Sequence, residues 1–128
     1  MKKIFTMLFV CAMLFGIKVY AGNVILCKDI KEGVPKNVSN VWSKTDKGKI
    51  CIFYEHDKAY AANTNFVLRI SKKNDIGYFM RISSKDFPVQ KGKQTSVIYN
   101  DMLDAGTYIF TIIDNQGFIL GETNCTVQ

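Results

Sequence analysis

The chain has 128 residues, 17 Lys+Arg against 11 Asp+Glu for a formal charge of +6, and four cysteines. Residues 1–21 hold Lys2, Lys3 and Lys18 and no acid, so the other 107 residues carry 14 basic and 11 acidic side chains, a net +3. That length holds one modest core, and so thin a charge argues against nucleic acid as the partner. One His, two Pro and the absence of any low-complexity tract exclude a His-rich metal store, a collagen and a disordered tail.

The first segment reads as an address. Met1-Lys2-Lys3 is a positive start, Ile4 to Ile17 is almost wholly apolar, and Val19-Tyr20-Ala21 offers the side chains a signal peptidase reads. A 14-residue helix at this position would cover roughly 21 Å, short of the ~30 Å hydrocarbon core. Cys11 and Cys27 follow Val10 and Leu26, not the small residue that lipid attachment needs. The expectation is a signal peptide over 1–21 and an exported chain over 22–128, periplasmic or extracellular, with no membrane-spanning segment after processing. Cys11 then leaves with the signal. Cys27, Cys51 and Cys125 face an oxidising compartment, where three cysteines make one bridge and one leftover thiol, or an intermolecular link. None lies in a C-x-x-C, so thioredoxin-like chemistry and a zinc knuckle lack their spacing.

From Asn23 on, short apolar runs alternate with turn signals, and no helical period lasts three turns. The predicted strands, in chain order, are 23–30, 38–43, 49–56, 64–71, 76–83, 94–100, 107–114 and 118–127. Between them lie Glu32-Gly33-Val34-Pro35, Asp46-Lys47-Gly48, Lys72 to Asp75, Lys91-Gly92-Lys93, Asp104-Ala105-Gly106 and Asp114 to Gly117. Seven or eight such strands predict a single antiparallel β-sandwich, immunoglobulin-like or fibronectin-III-like. Alternation sends Phe66, Leu68 and Ile70, then Tyr78, Met80 and Ile82, then Tyr108, Phe110 and Ile112 to inner faces. Val67, Arg69, Phe79 and Arg81 go outward, and the apolar Ile109 and Ile113 on an outer face suggest cover by an edge or a partner. Leu103 to Tyr108, with Gly106 before the aromatic, has the pattern of a tyrosine corner, in which the hydroxyl bonds back to nearby backbone.

Val24 to Pro35, then Trp42 and Gly48-Lys49-Ile50-Cys51-Ile52-Phe53, resemble a bacterial exported family known as domain of unknown function 2914. Gly106-Thr107-Tyr108 and the Asp114 to Gly117 turn resemble its closing strands more loosely. The middle departs from the family: Asn65 and Phe66 stand where it has a His-x-Trp strand, and its Trp-Arg…Ser-Ser-Lys segment has no counterpart. The resemblance implies a β-sandwich outside the cytoplasm, without known catalytic residues, and cysteines at both Cys27 and Cys51. Antiparallel pairing centred near Ser39 would set those two opposite each other and leave Cys125 free. First and last strands of a sandwich can also be neighbours, which would involve Cys125 instead.

Candidate chemistry is sparse. Glu55-His56-Asp57 is the one place where a base has acids beside it, but neighbours along a strand point to opposite faces, so a solvated strand end is expected. Met80 and Met102 are the only methionines beyond residue 21, too few for a Met–His copper site. Asp101 and Asp104 match no calcium loop and suit turn bonding. No Gly-x-Ser-x-Gly elbow, dinucleotide fingerprint or P-loop occurs. The feature with functional flavour is the basic set Arg69, Lys72, Lys73 and Arg81, which holds the only two arginines, on successive strands. Like charges directly across a ladder repel, so either the register offsets them or an anion sits between them. The expectation is a non-catalytic binding or structural module of the bacterial cell envelope, without cofactor or metal. Its partner would be an envelope protein or an anionic envelope polymer. The alternative is a small secreted inhibitor or accessory subunit that docks an enzyme through loops at one end.

Overall fold

The computed structural model describes residues 22–46 and 48–128. The expected signal segment, its cleavage point after Ala21 and Cys11 lie outside the described residues. All ten elements are strands: β1 (Asn23–Cys27), β2 (Asp29–Lys31), β3 (Val34–Lys36), β4 (Val41–Trp42), β5 (Lys49–Glu55), β6 (Thr64–Lys73), β7 (Phe79–Val89), β8 (Thr95–Asp101), β9 (Gly106–Ile113) and β10 (Ile119–Val127). They form a three-stranded sheet in the order β1-β5-β8 and a five-stranded sheet in the order β4-β10-β9-β6-β7. A separate β2-β3 hairpin completes the set.

The two sheets bury the alternating residues between them. Ile50, Ile52 and Tyr54 of β5 meet Phe66, Leu68 and Ile70 of β6 and Tyr108, Phe110 and Ile112 of β9 in one continuous core. Trp42, Cys125 and Val127 close it at the β4-β10 side. All pairings are antiparallel except that of β4 with β10. The first stretch of chain thus serves both sheets, β1 in the small one and β4 in the large one.

Three departures from the sequence reading have physical causes. The expected first strand breaks at Lys28, and Asp29 to Lys36 fold back as β2-β3 around Glu32 and Gly33, both at positive φ. β7 runs on to Val89 through the polar Ser83-Ser84-Lys85-Asp86, because Phe87 and Val89 carry its inner face. Tyr78, Met80 and Ile82 are not core: they are 67%, 58% and 51% exposed. β7 is an outer strand of the five-stranded sheet, paired only with β6, and its first four residues are exposed on both faces. A bulge between Ile70 and Ser71 further shifts the face its residues present.

Two hairpin turns share one construction. In Asn74-Asp75-Ile76-Gly77-Tyr78, the Asn74 side-chain oxygen accepts from the backbone N–H of Ile76 (3.2 Å) and of Tyr78 (2.9 Å). In Asp114-Asn115-Gln116-Gly117-Phe118, an Asp114 carboxylate oxygen accepts from the N–H of Gln116 and of Phe118, both at 2.9 Å. Gly77 and Gly117 sit at φ +94° and +90°, which side chains rarely adopt. An Asx residue, two positions, glycine and an aromatic therefore encode the same tight turn twice.

Candidate functional site

The outer face of the five-stranded sheet is open, and register decides what it displays. Two rows cross four strands there. Glu122, Thr111, Arg69 and Ser84 stand opposite one another on β10, β9, β6 and β7. Asn124, Ile109, Ser71 and Arg81 form the next row. Arg69 and Arg81 thus lie on a diagonal, each directly opposite a serine, which puts their Cβ atoms roughly 7 Å apart and relieves the repulsion of a direct pair. Arg69, Ser71, Phe79, Arg81, Ile109, Thr111 and Glu122 line a concavity of about 540 Å³. Thr111 is its floor, 2% exposed, with its hydroxyl donating to a Glu122 carboxylate oxygen at 3.3 Å. Among the described residues the one ion pair is Lys49–Asp101, so neither arginine is held by a carboxylate.

The four-residue basic set does not come together. Lys72 faces Tyr108 from the other side of the sheet, its Nζ 5.7 Å from the ring centroid, in a cation–π contact. Its stem runs so close to Gly106 that a Cβ there would lie 2.7 Å from Lys72 Cε. Lys73 is exposed, opposite Phe79 at the end of the ladder and outside the concavity. Thr111 and Glu122 were not singled out by sequence reasoning. No local motif marks them: they join the arginines only through the β10-β9-β6-β7 pairing.

Tyr108 is buried beside Cys125, and its hydroxyl donates to the Asp104 carbonyl at 2.6 Å. Cys27 and Cys51 are directly opposite on β1 and β5, with both side chains buried on the outward side of the small sheet. Phe53, Ile25 and the hairpin residue Ile30 pack around them. All three described cysteines are free thiols in this structure. Burial, then the neighbouring Cys27, push the Cys51 thiol up to about 12. Cys125 lies in the other sheet, on the inner face, and burial raises its thiol to about 11.

His56 is ordered and not solvated as expected. Its Nδ1–H donates to the Lys93 carbonyl (3.0 Å), which leaves Nε2 to accept from the Ser96 hydroxyl (2.7 Å). Burial lowers its pKa, opposed by the Lys93 bond and by Asp57. A serine bonded to an oriented neutral imidazole is the outline of a nucleophile and its base. Ser96, however, is on the inner face of β8, opposite Tyr54, and the nearby concavity is lined by Asn23, Glu55, His56, Asp57, Gln94 and Thr95, without the serine. The pair satisfies a buried hydroxyl at the edge of the core. Among the described residues no group of three His, Cys, Asp or Glu side chains is placed to hold a metal ion, and no helix is long and apolar enough to cross a membrane.

An immunoglobulin-like protein of Pseudomonas aeruginosa aligns with 87% of this chain and 93% of its own, at a TM-score of 0.51 and 12% identity. The fold is immunoglobulin-like. At that identity the likeness speaks for the fold alone. The alkylpurine DNA glycosylase AlkC of Pseudomonas fluorescens, bound to DNA containing an abasic site analog, aligns with 91% of this chain and 33% of its own, at a TM-score of 0.43 and 11% identity. The sequence matches no protein-family model and no curated protein.

Proposed function

We propose that this immunoglobulin-like sandwich is an exported, non-catalytic binding module of the bacterial cell envelope, and that it holds anionic groups on the outer face of its five-stranded sheet. The observation that carries the reading is the diagonal of Arg69 and Arg81 in one concavity, with hydroxyls beside them and no ion-pair partner among the described residues. Guanidinium forks suit carboxylate, sulfate or phosphate oxygens. The signal-like first segment and the resemblance to an exported family support a place outside the cytoplasm. Retention on immobilised dextran sulfate, followed across salt, tests the anion reading. Arg69→Gln with Arg81→Gln should elute at clearly lower salt than Lys28→Gln with Lys31→Gln, which removes the same charge from the β2-β3 hairpin. Equal shifts for the two double variants would overturn it.

A second reading, docking to an enzyme through end loops, has one specific support. The Asn74–Tyr78 turn fixes Ile76 and Tyr78, 77% and 67% exposed, in a rigid bonded tip. Under that reading Ile76→Ser with Tyr78→Ser abolishes capture of an exported enzyme, while the arginine variants leave it intact.

A further inference from the structure

We infer that the ligand of the outer-face site is an acidic sugar, a pyranose ring bearing a carboxylate; this rests on the anion reading of the same site. The concavity is polarised. Its β6-β7 side offers two guanidinium groups, and its β10 side offers the Glu122 carboxylate, two interstrand spacings from Arg69, roughly 10 Å at the backbone. A polyphosphate long enough to span the concavity would set an anionic group against that carboxylate. A uronate-type ring does not: its single carboxylate takes the arginines and its hydroxyls reach the acid. Glu122 accepts from Thr111 through one oxygen and has further lone pairs for ligand hydroxyls, while Ser71 adds a hydroxyl that can donate and accept.

The apolar part of the lining points the same way. Phe79, 40% exposed, and Ile109 wall the concavity beside the arginines. A sugar ring carries C–H groups on one face and polar groups at its rim, which suits an aromatic wall with charged groups around it. An acidic peptide fits less well. Peptide recognition on a sheet draws on unpaired backbone groups at an edge, whereas β9 and β6, which run under the middle of the concavity, are laddered on both sides, and the free edge of β7 lies only at its rim. The middle of the concavity therefore offers side chains, which suit the scattered hydroxyls of a sugar better than the backbone of a peptide.

The test is calorimetric titration at low salt, with backbone amide shifts to locate the site, using trigalacturonate, maltotriose, a tri-glutamate peptide and inorganic phosphate. Trigalacturonate should bind and move the amides of Arg69, Ser71, Ile109 and Thr111, with maltotriose at least about tenfold weaker; Arg69→Gln should cost about tenfold or more, the loss of a charged hydrogen bond. Phe79→Ala should weaken trigalacturonate about three- to tenfold and leave tri-glutamate unchanged. If tri-glutamate binds as well as trigalacturonate and Phe79→Ala moves neither, the sugar assignment falls and the anion site stands. If neither of them nor phosphate binds, or maltotriose binds equally well, both fall.

Discussion

The two sheets treat their outer faces in opposite ways. On the three-stranded sheet, Cys27, Cys51 and Phe53 point away from the sandwich core yet are almost wholly inaccessible, because Ile30 and the β2-β3 hairpin fold over them. β5 is consequently buried on both faces through five successive residues, Ile50 to Tyr54. On the five-stranded sheet the outer face has no such cover, and its rows alternate charge, hydroxyl and an occasional aliphatic group. An uninterrupted apolar run therefore marks a strand with two covered faces, and an alternating one a strand with a free face. Under the proposed reading the free face is the one that meets the ligand, while on the small sheet the cover stops at β8, where Val97 and Tyr99 are exposed.

Truncation under the hairpin should break this contrast most severely. Phe53→Ala should destabilise by about 3–5 kcal/mol, as large aromatic deletions in a core do, whereas Ile109→Ala on the free face should cost well under half of that. Urea unfolding midpoints of the two variants measure the difference. Equal effects would mean that the hairpin does not seal the small sheet.

The next effect concerns the bond that the covered face can hold. Directly opposite residues on antiparallel strands have Cα atoms about 4.5–5.5 Å apart, within the range a disulfide spans. In an oxidising compartment we expect Cys27 and Cys51 to be joined by an oxidant such as oxidised glutathione, which takes the two electrons and two protons of the thiols. Closing a loop of about 25 residues stabilises by roughly 3–4 kcal/mol in the chain-entropy account. Reduction should lower the urea midpoint accordingly, and non-reducing peptide mapping should join those two cysteines. A peptide linking Cys125 to either one is incompatible with the native arrangement, since Cys125 faces the inner core from the other sheet.

The contrast also explains what could be read from the chain before folding. The inner faces of β6 and β9 were legible because Phe66-Leu68-Ile70 and Tyr108-Phe110-Ile112 keep strict alternation, with a polar or charged residue, Arg69 or Thr111, in one gap of each. β2 and β3 were hidden, since three-residue strands carry too few side chains to show a period. Met80 and Ile82 alternate as core residues should, yet alternation gives parity and not the width of the opposing sheet. Arg69 and Arg81 were legible as a pair on successive strands. Their company of Thr111 and Glu122 depends on which strands become neighbours, and Lys72 was misplaced because proximity in sequence to Lys73 says nothing of face.

Two buried tyrosines sharpen the comparison at smaller magnitude. Tyr108 and Tyr54 are both inaccessible, but only Tyr108 has a partner for its hydroxyl, the Asp104 carbonyl. Tyr54 Oη has none among the described residues. Tyr108→Phe should cost about 1–3 kcal/mol, whereas Tyr54→Phe should cost nothing or stabilise, because it removes an unsatisfied polar atom. Tyr108→Phe with a midpoint indistinguishable from the parent would refute the architectural role of the Asp104 bond.

His56 adds a pH dependence of known sign. Its folded-state pKa is lowered by burial, so the unfolded chain takes up the proton more readily than the folded one. The stability tied to neutral His56 is complete above about pH 6.5 and is lost as pH falls through that value toward the lower folded pKa. His56→Gln should flatten the change in urea midpoint between about pH 7.5 and about pH 5.5. An unaltered slope would assign it to other groups.

The smallest stability effect belongs to the free face itself. Arg69 and Arg81 hold no carboxylate in place and support no covered surface, so Arg69→Gln and Arg81→Gln should each shift stability by no more than about 0.5 kcal/mol. The double variant removes a diagonal like-charge pair, and its midpoint should equal or slightly exceed that of the parent at low salt, with the gain vanishing as salt screens the pair. Binding should show the reverse pattern, with the double variant losing retention on the anionic matrix that the parent keeps. A face built for fold would lose stability with its arginines; a face kept open for a ligand loses only the ligand. Urea unfolding and salt elution of the same double variant separate the two, and a drop in midpoint comparable to that of Phe53→Ala would place the arginines among the residues that hold the sandwich together.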